Sequence, residues 1–382
     1  MNAWCLRVAY VGAAIWIGTA WSQVFNDALP RRAATGITLE ITPTGAVAIK
    51  TAPEGSAAAQ AGVQAGDVIA ALDGTPVTSV VQVQSIIGRH RPGDDLAIDV
   101  VRGAEKKRLV ARLKMFPLEQ LPNTVFDYGH LTLPDGIRLR TIVSRPATSA
   151  ARAPAVLFLQ GGGCSSIDVP WVPANQWPMT LISGPAARGF VTMRVEKPGV
   201  GESEGPPCAE GGFREELAGY RAALRALKAD PAVDPDRIFL FGESLGGFVA
   251  PLLARETHVA GISAYGTIAF TPTGYPGRSD LFFREIADVD ILAAWAAIDV
   301  RVQLLHGTYD EVAIASGHEN DHMKIAAVVN GAHPGLAEHR EFEGADHCGT
   351  RHETLEASQG NCGGGKQVPE LIAAVLEFLG TP

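Results

Sequence analysis

The stretch "RIFLFGESLGGFVAPLLA", Arg237 to Ala254, constrains the chain more tightly than any other. An apolar, strand-like run ends at Gly242-Glu243-Ser244-Leu245-Gly246, and an apolar, helix-like run starts at once. A nucleophilic serine needs that context: a strand that stops abruptly, strained backbone at the turn, and a helix N-terminus facing the reacting oxygen. Glycines flank the serine because a side chain there would collide with the neighbouring strand and helix. Glycine is abundant, 42 of 382 residues, so the pattern G-x-S-x-G alone decides nothing and its surroundings must.

Two other catalytic patterns fail the same test. Ser203, in Gly201-Glu202-Ser203-Glu204-Gly205, follows the strand-like "FVTMRV" only after "EKPGVG" and precedes Pro206-Pro207, which cannot lie inside a helix. It reads as a loop residue near the site. His318-Glu319-Asn320-Asp321-His322 has the zinc-protease spacing H-E-x-x-H, which requires both histidines on one helix. Gly317 stands where that helix should already run, and Asn320 and Asp321 are poor interior residues. The expectation is a solvated helix start, with no metal and no organic cofactor.

The chain is long enough for one large domain or two, and at 46% hydrophobic residues it can bury a substantial core. A formal charge of −9 and the lack of a basic run argue against a nucleic-acid partner. Residues 1–22 combine Arg7, an apolar stretch from Val8 to Ala20, and small residues Ala20 and Ser22, as an export signal does; uncleaved, the stretch would serve as a membrane anchor. Beyond it remain Cys164, Cys208, Cys348 and Cys362, an even set in a compartment where disulfides persist.

Residues 33–115 differ in character from the rest. "AGVQAGDVIAALDGTPV" places a Gly66-Asp67 turn, a strand from Val68 to Leu72 and an Asp73-Gly74 turn in succession, with a helix to follow near Ser79 to Ile87. This segment resembles a PDZ domain, a small α+β module, of the kind found in bacterial envelope proteases. The resemblance implies that an extended peptide C-terminus adds as a strand beside Thr35 to Ile41, with Gly36 and Ile37 offering N–H groups to its carboxylate. Docking against the neighbouring domain is the other role open to it.

After a proline-bearing stretch, Met115 to Asn123, short apolar runs alternate with amphipathic ones such as "FREELAGYRAALRALKA". That alternation predicts a mostly parallel sheet covered by helices. With the serine turn, residues 126–382 resemble an α/β-hydrolase. In that family the nucleophile is followed by the acid and then the histidine. Ser244 is then followed by Asp310, just past the strand-like "VRVQLLHG"; Asp288, Asp290 and Asp299 lie before that run. His347, in "REFEGADHCG", is the expected base, with His352 as its substitute. The oxyanion donors expected are the N–H of Leu245 and that of Gly162 or Gly163 in "QGGGC", where Gln160 replaces the histidine of many relatives.

The resemblance implies a serine hydrolase acting on a small ester or acyl substrate. Because "EKPGVGESEGPPC" resembles loops of exported dipeptidyl-peptidase-like members as well as acyl hydrolases, a peptidase is the alternative, and a PDZ-based binding protein with an inactive hydrolase fold is the rival from another class. Thr267 to Val302, with Phe270, Tyr275, Phe282, Phe283 and Trp295, is either a small cap or a helical segment packed on the core. On this topology the loops carrying Cys164 and Cys208 emerge at one sheet edge, and Cys348 adjoins His347, so the implied bridges are Cys164 to Cys208 and Cys348 to Cys362.

Overall fold

Apolar runs that lack a polar alternate face need cover on both sides, and the second half of the chain supplies it. The computed structural model describes residues 29–148, 152–170, 179–182, 184–273 and 277–380. The expected export signal lies outside them, as does Tyr275. Eight strands form one sheet: β1 (Thr124–Thr132), β2 (Arg138–Pro146), β3 (Ala153–Leu159), β4 (Val191–Val195), β5 (Val233–Glu243), β6 (Gly261–Tyr265), β7 (Arg301–Gly307) and β8 (Ala337–Phe342). Their spatial order is β1-β2-β4-β3-β5-β6-β7-β8. β1 and β2 make an antiparallel hairpin through the Asp135-Gly136 turn, β2 meets β4 antiparallel, and all other pairings are parallel.

Alternate residues of one strand feed two separate cores. Leu157 and Leu159 of β3 join Leu240, Phe248, Ile262 and Leu304 on one face. Val156 and Phe158 join Phe239, Phe241, Leu305 and Phe378 on the other. The helix α1 (Phe213–Ala229) buries Phe213, Leu217, Tyr220, Leu224 and Leu227, the spacing that its sequence predicts, and α2 (Leu245–Glu256) follows β5 directly. The architecture is that of an α/β-hydrolase domain, with a mostly parallel sheet between helical layers.

Ahead of it sits a small α+β unit. Its strands Thr38–Ile41, Val47–Thr51, Val68–Leu72, Asp95–Arg102 and Glu105–Arg112 form one sheet, and the helix Val80–Ile87 is capped by Ser79, whose hydroxyl accepts from the Gln82 N–H at 3.2 Å. Ile49, Ile69, Leu72, Val83, Leu96 and Ile98 make its own core. Asp73 and Gly74 both take positive φ (48° and 76°), as a two-residue hairpin turn of this twist requires.

The chain enters and leaves this unit at one place. The Phe116 N–H donates to the Arg32 carbonyl at 2.8 Å, and Ala33 pairs with Met115. The flanking residues belong to a buried seam of charge on the larger domain. Arg31 donates to Asp168 at 2.6 Å and lies 3.1 Å from Glu202, while Arg32 donates to Ser166 at 3.1 Å. Glu119, within the expected linker, is an almost fully buried partner of Arg194, which also donates to the Ile167 carbonyl.

Two outcomes follow from this junction. Excising residues 33–115 and joining Arg32 to Phe116 through a few glycines is expected to leave a cooperatively folding domain, checked by thermal unfolding followed by circular dichroism; a chain without a transition refutes it. Arg194→Met strands the Glu119 carboxylate and is expected to cost about 3–5 kcal/mol in chemical denaturation. Adding Glu119→Leu should return most of that loss, because a buried pair replaced by apolar groups is often close to neutral.

Candidate active site

At Ser244 the backbone departs from what a side chain tolerates. The residue stands between β5 and α2 with φ 51° and ψ −118°, whereas the other described non-glycine residues at positive φ are Asp73 and Asn123, types that visit this region more readily. The Ser244 N–H donates to the Tyr265 carbonyl at 2.8 Å, and the Ser244 carbonyl accepts from the Gly247 N–H at 2.9 Å. A Cβ on Gly246 would lie 1.9 Å from the Leu159 carbonyl oxygen, and one on Gly242 would lie 2.6 Å from the Gly246 backbone. The glycines around the serine therefore permit β3, β5 and α2 to close on each other.

Asp310 follows β7 and caps the short helix α5, which is preceded in chain order by α3 (Asp280–Ile286) and α4 (Ile291–Ala296) and spans Glu311–Ser316. One carboxylate oxygen accepts from the Ala313 N–H at 2.9 Å and the other from His347 Nδ1 at 2.8 Å. Burial pushes the Asp310 carboxyl up, but His347 and the Ala313 N–H outweigh it and hold it below its ordinary range. Burial likewise pushes the His347 imidazole down, and the hydrogen bond and charge of Asp310, helped by Glu243 and Glu311, leave it raised. With Nδ1 committed to Asp310, Nε2 is the basic nitrogen. Gly266, at φ 59°, admits this pair: a Cβ there would stand 3.2 Å from the imidazole and 3.3 Å from the carboxylate.

Ser244, Leu245, Gly162 and His347 border one cavity of about 320 Å³. Its remaining wall is largely apolar, from Ile268, Phe270, Pro272, Phe282, Phe283 and Val312, with Arg278 beside them. Gly163 is not in that lining. Of the segment Thr267 to Val302, Phe270, Phe282 and Phe283 face the cavity, whereas Trp295 is fully buried in the core beneath. A larger groove of about 480 Å³, bordered by Phe213, Arg214, Arg221 and Arg255, touches none of the candidate residues.

The alternatives are engaged elsewhere. Asp288 and Asp299 are exposed, and Asp290 caps α4 through the Ala293 N–H at 2.9 Å. His352 Nε2 meets Asp346 at 2.8 Å, and Asp346 also accepts from Thr350 and Gly363, so it ties the loop after His347 into one piece. Two disulfides join Cys348 to Cys362 in that loop and Cys164 to Cys208 beside Gly163. The Ser203 hydroxyl accepts from the Arg140 N–H at 2.9 Å and donates to the Glu196 carbonyl at 3.2 Å, a turn-holding part.

His318 and His322 do not share a helix. Gly317, at φ 72°, terminates α5, and α6 (Asp321–Ala332) begins after His318. His318 stacks on Phe270 with 3.6 Å between ring centroids, and His322 stacks on His306 at 4.6 Å. Among the described residues no group of three or more His, Cys, Asp or Glu is placed to hold a metal ion. In the smaller unit, Gly36 takes φ 75° with no room for a Cβ beside Ser56, and Ile37 leads into Thr38–Ile41, an edge strand.

Sequence reasoning missed three charged residues packed around the site. Lys197, Glu216 and Arg278 are buried and linked in a row, with Arg278 Nη1 also 3.0 Å from the Cys208 sulfur and its guanidinium 4.0 Å over the Phe282 ring. The signal available was slight: the pair Glu196-Lys197 directly continues a wholly buried strand.

Residues 34–113 match the PDZ domain family. A probable periplasmic serine endoprotease DegP-like of Ectopseudomonas mendocina is 30% identical over 104 residues, 27% of this chain and 20% of that protein. Dipeptidyl-peptidase 5 of Porphyromonas gingivalis is 25% identical over 186 residues, 47% of this chain and 25% of that protein. The chain thus spans a quarter or less of these curated relatives. Among solved structures, that of the DcsB complex with its substrate analogue superposes with a TM-score of 0.50 at 15% identity, covering 67% of this chain and 98% of that one, a likeness of fold.

The electrostatics of the Asp310–His347 pair can be read without any substrate. His347 is expected to titrate above its ordinary 6.5, and Asp310→Asn, which leaves burial as the larger influence, to bring it below the wild-type value. Proton NMR of the ring across pH checks this; equal titration in both proteins refutes it.

Proposed function

We propose that the chain is an exported serine hydrolase that cleaves carboxylic esters. His347 Nε2 takes the Ser244 hydroxyl proton as the oxygen attacks the ester carbonyl, and Asp310 holds the imidazole in the required tautomer and faces the charge it gains. The developing oxyanion is met by backbone N–H groups from Leu245 and the Gly162–Gly163 loop. His347 returns the proton to the departing alcohol, and water then hydrolyses the acyl-enzyme by the same path. The observation that carries this reading is one cavity wall on which the strained Ser244 and the Asp310-tethered His347 stand together.

The apolar lining supports an acyl or aromatic group as the part recognised. A peptidase is the second reading, favoured by the likeness to dipeptidyl-peptidase 5. Holding a free peptide N-terminus calls for a carboxylate in the cavity, and the lining among the described residues includes none. The Asp-Gly-turned small unit is proposed to receive a peptide C-terminus at Gly36 and Ile37, along its open edge strand. Export is supported by two disulfides and by the likeness of part of this chain to a probable periplasmic endoprotease. No helix among the described residues is long and apolar enough to cross a membrane.

A fluorophosphonate probe tests the mechanism, followed by rates on p-nitrophenyl esters of increasing acyl length and on peptide amides. Wild type and Ser203→Ala should be labelled on Ser244, while Ser244→Ala should lose labelling and fall in kcat on the order of 10⁶-fold. Labelling that survives Ser244→Ala overturns the assignment of the nucleophile, and faster turnover of amides than of esters overturns the substrate class.

A further inference from the structure

We propose that Lys197 is a positioning residue that sets the oxyanion loop, and that it makes Gly162, rather than Gly163, the second donor to the oxyanion. The inference rests on the serine-hydrolase reading of Ser244 and His347. Lys197 comes two residues after β4, and its side chain is 1% exposed. Its ammonium donates to the Gly161 carbonyl at 2.6 Å and to the Gly163 carbonyl at 2.9 Å, with Glu216 3.4 Å away. The three N–H donors of an ammonium are all committed by those partners.

Peptide geometry turns these contacts into an orientation. In a trans peptide the carbonyl of one residue and the N–H of the next lie in one plane and point in opposite directions. Lys197 draws the Gly161 carbonyl toward itself, so the Gly162 N–H is aimed the other way. Gly162 borders the cavity with Ser244 and His347, and a Cβ on Gly161 would stand 3.3 Å from the Ser244 Cβ, so this peptide lies against the nucleophile. The Gly163 N–H belongs to the Gly162 carbonyl plane, which Lys197 does not hold. Anchoring the Gly163 carbonyl instead fixes the peptide of Cys164, the residue tied to Cys208. The loop is thus clamped on both sides of Gly162.

Glu216 is already paired with the buried Arg278, so replacing Lys197 by methionine leaves that pair matched. The replacement removes the donors to the two carbonyls and also one of the two cations, with His347, that favour the charged form of the buried Glu243. Methionine and glutamine both lack that charge, so a group whose part is to fill space and balance charge would treat them alike. A group that aims an N–H would not.

The test compares the full-length wild type with Lys197→Met and Lys197→Gln, rates being counted per fluorophosphonate-titrated site so that misfolded molecules do not enter. Lys197→Met is expected to lose about 10²–10³ in kcat on a short-chain ester, with KM changed by less than about threefold. Inhibition by an alkyl boronic acid, which the serine converts to a tetrahedral anion, should weaken by a similar factor, while inhibition by the planar carboxylate product should hardly change. Lys197→Gln keeps amide donors and should recover about tenfold of the lost kcat; it also carries the test if the methionine variant does not fold. A kcat within about threefold of wild type, or equal loss of boronate and carboxylate binding, overturns the assignment of Lys197 alone. A wild type that neither labels nor turns over esters overturns the hydrolase reading and this assignment with it.

Discussion

The backbone at Ser244 is the constraint on which the rest of the larger domain converges. A serine at positive φ costs about 1–3 kcal/mol, and it persists only where the surroundings leave no alternative. Here the surroundings are the sheet and the helix themselves. The N–H is held by the Tyr265 carbonyl of β6, Gly246 is pressed on the Leu159 carbonyl of β3, and Phe248 and Val249 anchor α2 in the core. Relaxing the turn would pull α2 off the sheet. The serine oxygen is therefore placed by two hydrophobic cores, and the polar groups around it need only be placed relative to that point.

Those parts of the molecule that local chemistry decides were legible in the sequence. A strand, a glycine-flanked serine and an immediate helix can be recognised within eighteen residues because the steric demand is local. The same holds for the Asp73-Gly74 turn and for Gly317, whose αL conformation ends one helix and separates His318 from the helix that carries His322. Asp310 and His347 were placed by family order together with the strand-like run that each one follows. Trp295 and Phe283 look alike in sequence, yet Trp295 is fully buried in the core and Phe283, only partly buried, lines the cavity. Aromatic residues on short helices carry no mark of which side they will face.

Charged residues were the least legible, because a lysine or glutamate in sequence looks the same whether solvated or buried, and its partner is far along the chain. Glu196 and Lys197 show the difficulty. Adjacent in sequence, they serve opposite structures: Glu196 accepts from Ser166 and the Ile167 N–H in the seam near Arg32, while Lys197 holds the loop at Gly161 and Gly163. Burial pushes the Glu196 carboxyl up to about 7, a measure of how far this seam is from water. Buried charges of this kind are costly when unpaired and contribute little net stability when paired, so what they supply is a defined geometry. The seam fixes where the small unit is attached, and it does so within one residue of the lysine that holds the Gly161 and Gly163 carbonyls.

The disulfides have a consequence for the order of events in biosynthesis. Among the described residues, Cys164 pairs with Cys208 and Cys348 with Cys362, each with the next cysteine along the chain. A polypeptide that crosses into an oxidising space N-terminus first presents these thiols in that same order. On the proposed export, the first pair can close before the third thiol arrives, so the native connectivity is also the one that oxidation in sequence would produce. A crossed or nested pattern would need an isomerase to undo premature bonds; this one needs no such correction.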